Sequence, residues 1–174
     1  PEQEAIANHL AAIIPDGATL QMGIGGIPDA VLRKLYNHQH LGVHTELFSD
    51  GVVDLVAAGV ITNERKTLHP GKIIAGFLMG TQRLYDFVDD NPIVELHPTE
   101  YINDPFIIAK NDRMVSINSA LQVDLTGQVC AETHAGREER PREVVGAIFK
   151  IEQNAVHLRR FAQQFLDLLG GHLV

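Results

Sequence analysis

ATLQMGIGGIPDAVLRKLYN, residues 18 to 37, is the stretch on which the fold turns. Its first five residues form a short run of strand length. Gly23, Gly25 and Gly26 interrupt that run, and Pro28 suits the first turn of a helix over 28–37, where its missing N–H would have no partner anyway. Strand, glycine turn and helix therefore follow one another within twenty residues. Upstream, EAIANHLAAII places Ile6, Leu10, Ile13 and Ile14 at helical spacing, and the turn residues Pro15, Asp16 and Gly17 end that helix.

The same alternation continues downstream. VHTEL (43–47) reads as a strand, VVDLVAAGV (52–60) as a short helix, and HPGKIIAGFLMG (69–80) as a glycine-punctuated strand apolar enough for burial on both faces. TQRLYDFVDDN (81–91) is helical, IVELHP (93–98) is a short strand, and TEYINDPFIIAKND (99–112) is a helix or irregular piece interrupted by Pro105. MVSINSALQVDLTGQVCAE (114–132) reads as paired strands around the turn DLTG. Strands and helices in repeated order predict an α/β fold: an open, mostly parallel sheet with helices on both faces.

Composition narrows the function. A formal charge of −8 argues against a nucleic-acid or anionic-membrane surface, because phosphate binding draws on clustered Lys and Arg. A single cysteine, Cys130, excludes an internal disulfide and a multi-cysteine zinc site, and it suits a reducing compartment. No apolar run reaches the roughly twenty residues of a membrane span, so a cytoplasmic protein is expected. The chain opens on Pro1-Glu2-Gln3-Glu4 without Met, which reads as an excised or processed piece.

Glu46 is the anomaly. Burying a charged carboxylate in a strand is costly unless partners compensate it. If sites in such sheets lie beyond the carboxyl ends of the strands, Glu46 and the loop GIGGIP share one edge, with the carboxylate facing a cleft. The loop has two uses: close approach of a ligand with helix-start N–H groups offered to an anion, or simply a tight strand-to-helix turn. On residue chemistry alone Glu46 reads as a solvated or salt-bridged strand-end carboxylate, Asp50 as a helix N-cap and Gln21 as a half-exposed strand residue. His38, His40 and His44 span a helix end, a turn and a strand start with no single metal-binding face, and read as solvated. His69 and His97 each precede a proline and read as turn residues, with His69 within reach of the cleft. Asn118 and Ser119 read as turn-prone polar residues outside the site.

TLQMGIGGIPDAVL, LGVHTELFSDGVVDLVAAGVIT, KTLHPGKI, MGT, LYDFV and MVSINSALQVDLTGQVCAE, in this order and spacing, resemble the acetyl-CoA hydrolase/transferase family, near its 4-hydroxybutyrate and succinyl-CoA:acetate CoA-transferases. The resemblance runs from about the first helix to Glu132. It implies that Glu46, in the HTE motif, is the nucleophile that attacks an acyl-CoA. Gln21, Gly23, Gly25 and Gly26 are implied to line the substrate, CoA or oxyanion site, with no metal and no tightly bound cofactor. Coenzyme A enters as a substrate, and the partners are acyl-CoA and small carboxylic acids. Residues 1–132 would be the first part of the family's C-terminal catalytic half, completed by a homo-oligomer or by pairing with the N-terminal half. Residues 133–174 show no counterpart to the glycine-rich segment that the resemblance implies next. They read as a divergent tail: a charged linker over 133–142, the apolar stretch VVGAIF, and an amphipathic helix from about 151 to 169.

Two other readings stay open. One is a non-catalytic remnant or assembly domain. The other is a nicotinamide dinucleotide-binding domain, since Glu46 follows Gly23 by 23 positions, although Pro28 stands where the fingerprint's third glycine belongs.

Overall fold

The computed structural model describes residues 2–120, 122–123, 129–130 and 145–151. Helix α1 (Glu2–Ile13) leads into strand β1 (Thr19–Met22), and the glycine loop opens α2 (Gly26–Leu32). After a 3₁₀ turn at Leu35–Asn37 come β2 (Gly42–Phe48), α3 (Asp50–Ala57), β3 (Ile73–Leu78), α4 (Gln82–Val88) and β4 (Val94–Leu96). Two one-turn helices, α5 (Thr99–Ile102) and α6 (Pro105–Ile108), precede β5 (Met114–Ala120). The two-residue strands β6 (Gln122–Val123) and β7 (Val129–Cys130) pair antiparallel with each other, and the expected DLTG turn between them lies outside the described residues.

The main sheet has the order β4-β3-β2-β1-β5-β8, where β8 is Val145–Ile151. The first five strands are parallel, and β8 runs antiparallel beside β5 from Met114↔Ile151 to Ala120↔Val145. The chain steps one way across the sheet from β1 to β4, so right-handed crossovers put α2, α3 and α4 on one face. The return from β4 to β5 crosses the other way and puts α5 on the opposite face, where it packs against β2 and β3. The expected open α/β sheet with helices on both faces is the observed one.

Period-two alternation separates the two faces. Leu20 and Met22 of β1, Val115 and Ile117 of β5, and Ile73 and Ala75 of β3 enter one core with Ala7, Leu10 and Ala11 of α1 and Ile27, Ala30 and Val31 of α2. The intervening positions of β1, β2 and β5 carry Gln21, His44, Glu46, Ser116 and Asn118. One face of the sheet is thus an apolar core and the other is rich in polar groups.

Several local expectations shift. Helix α2 ends at Leu32, not at residue 37, because the 3₁₀ turn carries Leu35 into the core and brings His38 against α1, where its Nε2 lies 3.1 Å from both Ala11 O and Ile14 O. Ser49, not Asp50, is the N-cap of α3. The Asp50 carboxylate instead accepts from Thr81 N at 2.9 Å and Thr81 Oγ1 at 2.6 Å, and these bonds hold its pKa below the ordinary value. Of the apolar stretch VVGAIF, the residues from Val145 to Phe149 lie in β8, while the charged linker expected over 133–142 and the amphipathic helix expected from about 151 to 169 fall outside the described residues apart from Ile151, the last residue of β8.

Candidate active site

Strand order reverses between β1 and β5: β1 leads toward β2 on one side, and β5 lies on the other. In open α/β sheets the crevice outside the carboxyl ends at such a point is where ligands bind. The loop Gly23–Gly25 leaves β1 at this edge, and Glu46 stands two residues before the end of β2 at the same edge. Leu20 pairs with Val43, Met22 with Ile117, and Thr45 and Leu47 with Ala75 and Phe77. Carried onward, these registers set Asn118, Gly23, Glu46 and Gly76 in one row across the sheet. Glycine on both sides of Glu46 means that no side chain from a neighbouring strand rises beside its half-buried carboxylate.

Each residue of the HTE motif has a distinct structural task. His44 is 1% exposed, not solvated, and its Nε2 lies 3.0 Å from Ile102 O at the end of α5. Burial lowers its pKa, so the neutral imidazole donates from Nε2 and docks α5 on the sheet. Thr45 Oγ1 lies 3.1 Å from both Met22 N and Met22 O, bridging β1 and β2 beyond their last ladder pair. Glu46 then emerges at the edge, where Oε2 accepts from Asn103 Nδ2 at 3.0 Å.

Asn103 was not legible as a site residue. It follows α5, and the next residue, Asp104, caps α6 by accepting from Phe106 N at 2.7 Å, with Pro105 in the first turn. The sequence Asn-Asp-Pro thus makes a corner between two one-turn helices that holds Asn103 over the sheet. Nothing in the local pattern points to a carboxylate 57 residues away.

The loop residues occupy different environments. Gln21 faces Ser116 and Asn118, accepting from both through Oε1. A Cβ on Gly23 would lie 2.8 Å from Asn118 Oδ1, whereas a Cβ on Gly26 would meet the Gln3 side chain of α1 at 2.7 Å. Gly26 therefore serves helix packing. Gly25 alone of the three has a positive φ, 111°, and its missing Cβ faces open space. His69 and His97 lie by α5, with His69 Nε2 2.7 Å from Tyr101 Oη and the His97 ring stacked on Tyr101. A cleft lined by Asp29, Arg33, Tyr36, Ser49, Asp50 and Asp54 lies between α2 and α3 and does not include Glu46.

Fold and edge define an α/β domain whose nucleophile candidate projects at the carboxyl edge, one strand from the switch point. Residues 80–141 match the acetyl-CoA hydrolase/transferase C-terminal domain. Over most of its described length the chain is similar to members of the acetyl-CoA hydrolase/transferase family. It is 61% identical over 131 residues to the 4-hydroxybutyrate coenzyme A transferase of Clostridium kluyveri, covering 75% of this chain and 30% of that protein. It is 54% identical over 121 residues to a succinyl-CoA:acetate/propanoyl-CoA:succinate CoA transferase of Fasciola hepatica, covering 70% and 25%. The solved 4-hydroxybutyrate CoA-transferase of Porphyromonas gingivalis superposes with a TM-score of 0.71 at 54% identity, covering 73% of this chain and 33% of that one. The chain spans about 30% of the length of these relatives.

Proposed function

We propose that this chain is part of a CoA-transferase that moves coenzyme A between an acyl-CoA and a small carboxylate through a glutamyl thioester on Glu46. The observation that carries the reading is Glu46 itself, set between two glycines at the carboxyl edge with one oxygen held by Asn103. An Oε oxygen attacks the thioester carbonyl carbon, a C–O bond forms, and the π pair moves to the carbonyl oxygen. Collapse of that oxyanion breaks the C–S bond and releases CoA thiolate, leaving a mixed anhydride. The thiolate attacks the glutamyl carbonyl and expels the first carboxylate, which leaves glutamyl-CoA. A second carboxylate reverses the two steps, and water in its place gives hydrolysis. Coenzyme A is a substrate here and not a resident cofactor.

Gln21, Gly23 and Gly25 belong to this reading as groups lining the oxyanion and CoA side, and Gly26 as the start of α2. Residues 1–132 form the partial catalytic domain and 133–174 a divergent tail that lends β8 to its sheet, with the rest of the site supplied by a second subunit or by the N-terminal half. A cytoplasmic location accords with the chemistry of a CoA-dependent enzyme. The relatives' own names, which specify 4-hydroxybutyrate, succinate, acetate and propanoate, support small carboxylic acids as donors and acceptors.

The test is chemical. Incubation of the full-length parent, in which the rest of the site is present, with an acyl-CoA followed by borohydride reduces a glutamyl thioester to an alcohol, and peptide mass spectrometry is expected to place that alcohol on Glu46. Labelling of another residue instead would refute the assignment. A second reading, a non-catalytic domain, predicts no labelled residue.

A further inference from the structure

Gln21, Ser116 and Asn118 close a ring of hydrogen bonds on the face of the sheet that carries Glu46. Gln21 Oε1 accepts from the Ser116 hydroxyl and from Asn118 Nδ2 at 2.9 Å. Asn118 Nδ2 also donates to Ser116 Oγ at 2.9 Å, and Asn118 Oδ1 accepts from Gln21 Nε2 at 3.3 Å. A side-chain amide has two N–H donors and a serine has one O–H. Both Asn118 donors and the Ser116 donor are therefore spent inside the ring. Among the described residues, one Gln21 Nε2–H is the single side-chain donor of the three left without an acceptor.

The ring's position gives that donor a purpose. Gln21 pairs with Ser116 in register, and the next row on the same face is Asn118, Gly23 and Glu46. Asn118 Oδ1 also occupies the space that a Cβ at Gly23 would need, so the loop's first glycine is the clearance for the ring. An amide is ambident: rotated by half a turn, Gln21 would present its oxygen, which repels a developing oxyanion.

We infer that Ser116 and Asn118 are positioning residues that fix the polarity of Gln21, turning its nitrogen and not its oxygen toward the carbonyl attacked by Glu46. The inference rests on the reading of Glu46 as the nucleophile. Gln21 contributes one N–H to the oxyanion formed as the Glu46 C–O bond is made, and it gains or loses no proton. Ser116 and Asn118 touch no reacting atom and act through Gln21.

Two measurements on the full chain test this. In wild type, side-chain amide NMR is expected to show one Gln21 Nε2 proton protected from solvent exchange and the other open. Two protected protons, the pattern of a ring running in the opposite sense, would overturn the proposal, as would two open ones. Asn118→Asp keeps the shape of the side chain but replaces its donor with an acceptor, which draws both Gln21 N–H groups inward. Both protons should become protected, and acyl-CoA labelling of Glu46 should fall by roughly a hundredfold, the usual loss for one oxyanion donor. Asn118→Ala leaves Gln21 free to rotate and should lose less. A purely structural role predicts the reverse order, with the isosteric Asp the milder change, and that order would sink the inference. If a variant fails to fold, the wild-type exchange pattern alone decides the polarity. The expected wild-type pattern without any label on Glu46 would instead overturn the nucleophile reading on which the inference rests.

Discussion

Glu46 owes its orientation to Asn103, so the two residues should separate by experiment. Glu46→Gln keeps the side chain's shape but removes its nucleophilicity, and should abolish the borohydride-trapped label. Asn103→Ala leaves the carboxylate in place with both oxygens free to rotate, and should slow labelling by about ten- to a hundredfold while thermal unfolding changes little. Lys66 is a different kind of residue. It is 5% exposed, its ammonium donates to Val43 O and Lys72 O at 2.7 Å, and burial lowers its pKa to about 7. The unfolded chain therefore holds a proton that the folded chain lacks between about pH 7 and the ordinary 10.5. This group's contribution is full above 10.5 and is lost as pH falls toward about 7. Urea midpoints of wild type minus those of Lys66→Met should rise with pH across that window, and a flat difference would contradict the assignment. Sequence made Glu46 conspicuous because it is a charge in an apolar strand. It hid Asn103 and misplaced His44, because what covers each of them arrives from more than fifty residues away.

At the level of elements, α5 has four residues and buries one apolar side chain, Ile102, so its place depends also on what grips it. His44 supplies one grip, at Ile102 O, and the His69–Tyr101 contact another. His44→Leu fills much the same space but leaves that carbonyl unpaired, at a cost of about 1–3 kcal/mol. Backbone amides of α5 and Asn103 should then exchange faster than those of β2, with labelling of Glu46 reduced through the loosened asparagine. Uniform exchange across both elements would show that α5 is held in some other way. Long periodic elements such as α1 and the strand–loop–helix of residues 18–32 were readable because period and punctuation agree there, whereas the 3₁₀ turn at Leu35–Asn37 read as more of the same helix. The one-turn helices were not, since four residues are too few to express a period. VVGAIF failed as a signal for the opposite reason: a short apolar run fits a strand and a buried helix equally well.

Across the whole molecule, the parallel sheet was predictable from the alternation of elements, but its antiparallel sixth strand was not, because register with a distant partner leaves no local trace. β8 matches β5 residue for residue over all seven positions of each. Shortening the chain to end at residue 144 should uncover the outer edge of β5, and such an edge pairs readily with a second molecule. Size-exclusion chromatography is expected to show dimers or larger species, and a monodisperse monomer would argue that another segment takes the place. Among the described residues no helix is long and apolar enough to cross a membrane. Main-chain N–H and C=O groups are the same in every residue but proline, so β5 selects its neighbour by length and alternation more than by side-chain identity. A border of that kind is an open socket. Sequence can change on the far side of it while the strands bearing Gln21, Glu46 and Asn118 keep their places.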